Sequence, residues 1–251
     1  MKLTRETQYV RSICLHKQED NEFPFSLPAV QSLQKKLIFH PNVTYIVGEN
    51  GMGKSTLLEG IAVALGMNPE GGTKNFNFSS YASHSNLHQF IKVTRGAQNP
   101  DDSFFFRAET YYNLATTIEQ LDREGFGPRI IDSYGGKSLH EQSHGESFFA
   151  TFMYRFGGEG LYILDEPEAA LSPIRQLSML TRIHELVQEG SQFIISTHSP
   201  IIMSYPESKI LQLSDKGTQH LNLEETDHYV TMKQFFDDKD RLMHHLLKNE
   251  K

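Results

Sequence analysis

The 251-residue chain predicts an α/β fold. Its core is a mostly parallel sheet, joined by an antiparallel β lobe and a small helical lobe. Two observations carry this. Short β-branched and aromatic runs alternate with amphipathic helical stretches. Three of those runs, at 43–47, 161–164 and 192–196, lead straight into polar or glycine-rich residues. Buried parallel strands behave so when their C-terminal ends face a ligand crevice.

In order, 9–15 reads as a first strand, with Arg11 near the crevice, and 18–28 as a polar, proline-broken loop. Val43-Thr44-Tyr45-Ile46-Val47 is a buried strand. Residues 55–65 form a helix with Leu57, Leu58, Ile61, Ala62 and Leu65 on one face and Gly66 as its stop. The stretch 67–86 is a long Gly/Asn/Ser connection. At 87–94, His88, Phe90 and Lys92 alternate with Leu87, Gln89, Ile91 and Val93, which predicts an amphipathic antiparallel strand. A turn over 96–102, a strand at 103–107 and a helix over 109–124 follow. Gly125-Phe126-Gly127-Pro128 breaks that helix, and a loop over 132–139 leads to another helix from Ser143 to about Phe156. Ser172 caps a further helix with Pro173 at its first position. Ile174, Leu177, Leu180, Ile183, His184 and Leu186 form its stripe, and Gly190 closes it. The tail predicts strands at 209–214 and 218–223 around Asp215-Lys216-Gly217, then short helices near 231–236 and 239–248. No repeat, heptad or low-complexity tract interrupts this, so one domain of two lobes is expected over 1–251.

The chemistry concentrates in four segments. Gly48 to Ser55 fits G-x-x-x-x-G-K-S/T between a strand and a helix, the arrangement that aims free backbone N–H groups and a helix dipole at phosphates. Gly48, Asn50, Gly51, Gly53, Lys54, Ser55 and Thr56 are the candidate nucleotide contacts. Lys54 would neutralise the β/γ-phosphates and Ser55 would hold Mg²⁺. The competing reading, a plain glycine turn, explains neither the lysine nor the context. Asp165-Glu166 ends the 161–164 run. Asp165 is placed to coordinate Mg²⁺ and Glu166 to polarise an attacking water as general base. His198, just past the 192–196 strand, can reach the γ-phosphate; a capping histidine is the bland alternative. Ser143 and Gly145 open a helix and so form a second helix-terminus anion site. One chain already has such a site at 48–55, which points to two-fold pairing, each copy capping ATP held by the other.

These segments resemble the ATP-binding-cassette (ABC) ATPase superfamily. Gly48–Thr56 looks like its Walker A motif and Leu161–Glu166 like its Walker B with catalytic glutamate. Ser196–His198 looks like its switch-histidine loop, Gln142-Ser143-His144-Gly145-Glu146 is similar to its signature, and Ala170-Leu171-Ser172 to its D-loop. Within it the chain looks closest to short bacterial "AAA family" ATPases. That closeness rests on Phe23-Pro24-Phe25-Ser26-Leu27-Pro28, Asn75-Phe76-Asn77-Phe78, Phe106-Arg107-Ala108-Glu109, residues 138–147 and residues 165–173. The resemblance implies an ATP hydrolase using ATP and Mg²⁺, with Lys54, Ser55, Asp165, Glu166 and His198 acting in cis and Ser143 and Gly145 in trans. The chain departs from the pattern at His144 for the first signature glycine, Glu146 for the terminal glutamine and Ser172 for the D-loop aspartate. Glu109 stands where a glutamine loop is usual. Phe23, Phe25 and Phe39 are candidates to stack on adenine, each also a candidate core residue.

Composition bounds the rest. Net charge is −7, which does not favour a dedicated nucleic-acid binder, although Lys92, Arg95, Arg107, Arg123 and Arg129 fall close in sequence. A single cysteine, Cys14, excludes an internal disulfide and suits the cytosol. No apolar run reaches membrane-spanning length and no secretory h-region opens the chain, so a cytoplasmic location is expected. His140-Glu141-Gln142-Ser143-His144 matches H-E-x-x-H, and His84 and His88 share the same spacing, but neither pair is expected to bind zinc. The expected function is a Mg²⁺-ATP-driven dimeric switch coupled to a soluble protein or nucleic acid. The alternatives are the ATP-binding subunit of a transporter docking on membrane subunits, and an ATP-binding module with negligible turnover.

Overall fold

The computed structural model describes residues 2–16, 22–73, 85–125 and 127–248. The chain opens with β1 (Val10–Leu15), α1 (Pro28–Gln31), β2 (Leu37–Ile38), β3 (Val43–Val47) and α2 (Lys54–Ala64). Then come β4 (Ile91–Arg95), β5 (Asp102–Arg107), α3 (Tyr111–Glu124), α4 (His144–Ala150), β6 (Gly160–Asp165), α5 (Pro173–Gln188), β7 (Gln192–Ser196) and α6 (Pro200–Met203). β8 (Ser208–Ser214), β9 (Gly217–Leu221), α7 (Asp227–Asp237) and α8 (Lys239–Leu246) follow.

The strands form an antiparallel sheet, β2-β1-β4, and a six-stranded sheet, β5-β6-β7-β3-β8-β9. In the larger sheet β5, β6, β7, β3 and β8 run parallel, and β9 returns as a hairpin. Period-two alternation sorts its side chains into two cores. Phe104, Phe106, Tyr162, Leu164, Phe193 and Ile195 face α3, α4 and α5. Phe105, Ile163, Ile194 and Ile46 face α2 and the antiparallel sheet. The layers are therefore sheet, α2, sheet and helices, each burying its apolar face on the next.

An aromatic chain fixes the helix that begins at Ser143. Phe148, Phe152 and Phe156 recur every four residues and so share a face. Ring centroids lie 4.2 Å apart for Phe106–Phe148, 5.1 Å for Phe152–Phe156 and 4.3 Å for the stacked Phe156–Tyr162. The predicted single helix to Phe156 is α4 followed by a π-helical turn over Thr151–Arg155.

Two further expectations need correction. The strand predicted over 87–94 begins only at Ile91, after a 3₁₀ turn at Asn86–Gln89. Leu87 and Ile91 both press on Gly60 of α2, where a Cβ would meet them at 3.0 and 3.1 Å. Extended chain would separate them by about 13 Å, too far to share that contact. In α5 the buried face is Gln176, Met179, Ile183, Leu186 and Val187, while the predicted stripe members Ile174 and Leu177 are exposed.

Candidate functional site

Register assembles the site. β3 pairs with β7 and β7 with β6, and Ser196 stands opposite both Ile46 and Asp165. The C-terminal ends of the three strands thus lie side by side, where open α/β sheets bind their ligands.

From β3 the chain enters the glycine loop. Gly53 caps α2 at φ +86°, a left-handed conformation that disfavours side chains, and a Cβ there would touch Leu27 at 3.0 Å. The Ala29 N–H donates to the Met52 carbonyl at 2.9 Å, so α1 and Leu27 just before it buttress the loop. Lys54 is buried and its Nζ donates to the carbonyls of Gly48 (2.9 Å) and Glu49 (3.1 Å). Burial pushes its pKa down, against the pull of Glu166, Asp165 and Glu168. Ser55 and Thr56 are half-buried at the start of α2, and Asn50 and Gly51 are exposed at the loop tip.

Asp165 is buried at the end of β6. Its Oδ1 accepts the Ser196 hydroxyl at 2.5 Å, and the Ser55 hydroxyl bonds to the same carboxylate. Burial raises its pKa, and the two hydroxyls oppose that rise. Glu166 takes a left-handed conformation at φ +49°, unusual for a residue with a side chain. Its N–H is held by Ser196 through both the carbonyl and the hydroxyl, each at 3.1 Å. This turn leaves its carboxylate half-exposed, with Oε1 3.4 Å from Nε2 of His198.

Two members of this site carry no local sequence signal. Glu168, in the turn after Pro167, accepts the His198 N–H at 2.6 Å, and burial raises its pKa. His228 of α7 places Nε2 2.8 Å from Nδ1 of His198. Both contacts span thirty residues and depend on tertiary folding.

Ser143 caps α4, as expected. Glu146 accepts both its N–H (3.0 Å) and its hydroxyl (2.6 Å). The Ser143 hydroxyl, then its N–H, holds the Glu146 carboxyl below the usual range, and Arg175 approaches it at 3.8 Å. Gly145 lies so close to the Ala170 carbonyl that a Cβ would not fit. The helix start thus rests on the turn that follows Glu166. Among the described residues no hydrogen bond joins Ser143 or Gly145 to the loop at 48–56.

The residues fit a nucleotide and Mg²⁺. The N–H groups of Gly51 and Gly53 make no hydrogen bond among the described residues, and a cation lies beneath them. A hydroxyl and a carboxylate, the donor set of a hard cation, already touch.

The remaining candidates divide. Phe25 and Phe39 belong to the core, Phe25 edge-on to Phe90, whereas Phe23 is 67% exposed. His140 sits in a separate 3₁₀ turn before Ser143, near Thr116 Oγ1 at 3.1 Å, so His140 and His144 do not share a helix. No cluster of three metal-ligating side chains occurs among the described residues. His84 and the side chains of Glu109 and His144 lie outside them. Arg107 pairs with the buried Glu59 at 2.8 Å, Arg129 with Asp132 at 2.7 Å and Arg123 with Glu119 at 3.5 Å. Three of the five neighbouring cations thus have carboxylate partners. No helix among the described residues is long and apolar enough to cross a membrane.

Comparison with known proteins agrees with this geometry. Residues 10–143 match the family model described as "AAA domain", and residues 138–204 match "AAA domain, putative AbiEii toxin, Type IV TA system". The chain is 28% identical over 170 residues to a "Putative ABC transporter ATP-binding protein" of Listeria monocytogenes, covering 62% of each. It is 28% identical over 98 residues to structural maintenance of chromosomes protein 6 of Takifugu rubripes, covering 39% of this chain and 9% of that protein. The chain thus spans less than two thirds of the length of either relative. A solved ATP-binding cassette of an ABC transporter superposes with a TM-score of 0.52 at 16% identity, covering 92% of this chain and 98% of the other, and so shares the fold. With a family model spanning more than half of its residues, the chain belongs to the AAA-domain family.

Proposed function

We propose that the chain hydrolyses ATP to ADP and phosphate in a site completed by a second copy of itself, and that it works as a nucleotide-driven dimeric switch. One observation supports this most strongly. Glu166 is half-exposed beside His198 at the edge where Asp165, Ser55 and Lys54 converge. Lys54 would bind the β/γ-phosphates, with the N–H groups of Gly51 and Gly53 around them. Ser55 and Asp165 would hold Mg²⁺, which when bound neutralises phosphate charge. Glu166 would take the proton of the attacking water, and His198 would orient it. Phe23 is the exposed aromatic available for adenine, on the segment that leads into α1. The exposed Ser143 and the buried Gly145 beside it, half a site in themselves, would cap the nucleotide of the other copy.

The switch would act on a soluble protein or a nucleic acid in the cytoplasm. A second reading, the ATP-binding subunit of a transporter docking on separate membrane subunits, is favoured by the name of the Listeria relative. The chromosome-maintenance relative carries no such partner in its name. Affinity capture with ATP trapped separates the two: integral membrane proteins support the transporter, soluble proteins or nucleic acid the switch.

Light scattering tests the shared site. Glu166→Gln should bind Mg²⁺-ATP, lose about 10²–10⁴-fold in turnover and accumulate as a dimer. Adding Ser143→Arg should return it to monomer. A Glu166→Gln chain that stays monomeric at saturating Mg²⁺-ATP would refute the trans-completed site.

A further inference from the structure

His198 carries an unexplained pair of contacts. Its backbone is fixed, with its N–H on Glu168 Oε1 and the following N–H of Ser199 on Thr197 Oγ1 at 3.0 Å. Its ring Nδ1 lies 2.8 Å from Nε2 of His228. Its Nε2 is buried, makes no hydrogen bond among the described residues, and faces Glu166 Oε1 at 3.4 Å. The ring centroids of the two histidines are 5.0 Å apart at 59°, so the link is an edge-to-edge nitrogen contact and not a stack.

A contact of that length between two ring nitrogens holds one hydrogen. A bare lone pair on His198 Nε2 would point at the Glu166 carboxylate, so that nitrogen must carry a hydrogen. A neutral His198 ring then offers only a lone pair at Nδ1, and the hydrogen between the rings must come from His228 Nε2. The second nitrogen of a histidine sets the tautomer of the first in just this way. His228 suits the task. Burial, then His198, lowers its pKa, with Asp227 opposing and Lys54 adding to the fall, which favours the neutral ring. It sits in the first turn of α7, which the buried Thr226 caps and which Asp227 ties to Gln212 of β8 at 3.3 Å.

We propose that His228 is a positioning residue that holds His198 with its hydrogen on Nε2, aimed at the Glu166 side of the site. Its meaning for turnover rests on the ATPase reading; its effect on the tautomer does not. Helix α7 thereby becomes part of the hydrolytic apparatus. Any partner that displaces the start of α7 would release His198.

Histidine ¹⁵N NMR on the full nucleotide-free chain tests this, with His198 signals identified as those lost in His198→Gln. The unsubstituted chain should show His198 as the Nε2–H tautomer. His228→Leu should shift it toward Nδ1–H, and His228→Gln, whose amide N–H reaches the place of the imidazole Nε2–H, should restore it. In steady-state kinetics His228→Leu should lower kcat about tenfold with KM within about twofold, the scale on which loss of an outer orienting partner is felt, and His228→Gln should recover most of that. An Nδ1–H tautomer in the unsubstituted chain, a tautomer unmoved by His228→Leu, or equal losses of kcat in both variants would overturn the proposal. The expected tautomer shift in a chain that hydrolyses no ATP would overturn the ATPase reading and leave the positioning role standing.

Discussion

Two helix starts in this molecule are candidate anion sites, and they are built oppositely. The loop before α2 is closed in on itself: its lysine is buried, its carbonyls are taken by that lysine, and Leu27 and Ala29 brace it. The start of α4 is open: Ser143 is exposed and, among the described residues, its side chain is tied to Glu146, three residues on. The first is an interior device that needs nothing outside the chain to be shaped. The second is a surface device whose partner must arrive. A chain with one of each is suited to two-fold pairing with its copy, the open end of each meeting the closed end of the other.

The sharpest way to break this contrast is to compare nucleotide affinity after damage at each end. Lys54→Ala should weaken Mg²⁺-ATP binding by about a hundredfold, the scale of losing charge-assisted hydrogen bonds. Ser143→Arg should leave the affinity of the single chain within about twofold. Calorimetry reads both, and an unchanged Lys54→Ala removes the basis for assigning the loop at 48–56.

Gly145→Ala probes how firmly the open end rests on its own chain. With the Ala170 carbonyl in the way, the added methyl should cost about 1–3 kcal/mol as an overpacking strain. Thermal unfolding should fall by several degrees, while Gly51→Ala, with no atom within 4 Å of the new carbon, should cost less through strain at φ +83° alone. Equal losses would show that the contact with Ala170 carries no special strain.

Asp165→Asn tests the closed end. Burial raises the Asp165 pKa above the ordinary carboxylate range, so the ionised form carries a folding cost at neutral pH. The amide should therefore raise the Tm of the nucleotide-free protein by a few degrees near pH 7 while abolishing Mg²⁺-dependent turnover. As pH falls from the raised folded value to below the unfolded one, the wild-type carboxyl becomes protonated and the Tm advantage should vanish. An advantage that persists at low pH would assign the effect to something other than charge.

The smallest effect is expected at Glu146→Gln. The amide oxygen can still accept from Ser143, so stability should change by about 0.5 kcal/mol or less. With the negative charge gone, the ATP-bound dimer should tighten a few-fold in analytical ultracentrifugation. A looser dimer would mean that the carboxylate itself helps pairing.

The order of motifs made the convergence of Lys54, Asp165 and His198 readable, because each stands at or beyond the end of a short apolar run, and runs of that kind become adjacent parallel strands. Ser196 was readable only as a strand end; its double role, on Asp165 and on the Glu166 N–H, follows from register across β6 and β7. Glu168 and His228 were not readable, since a carboxylate in a turn and a histidine in a surface helix have no local pattern that points at His198. The period-two alternation at 87–94 misled for a related reason. Leu87 answers to the surface of α2 and not to a neighbouring strand, and Ile91, which opens β4 opposite Leu15, reaches the same glycine. Ile174 and Leu177 misled because a 3.6-residue stripe of apolar side chains was wider than the face that α5 buries.

The absence of room for a Cβ at Gly145 has a consequence for timing. The segment that would greet a visiting nucleotide and the turn that carries Glu166 are joined within one chain by a rigid touch between two backbones. In a pair of such chains, each copy would sense the arrival of its neighbour's ATP at the very turn it uses to cut its own. The two active sites would then fire as coupled clocks, with a sigmoidal dependence of rate on ATP concentration, and neither would keep time alone.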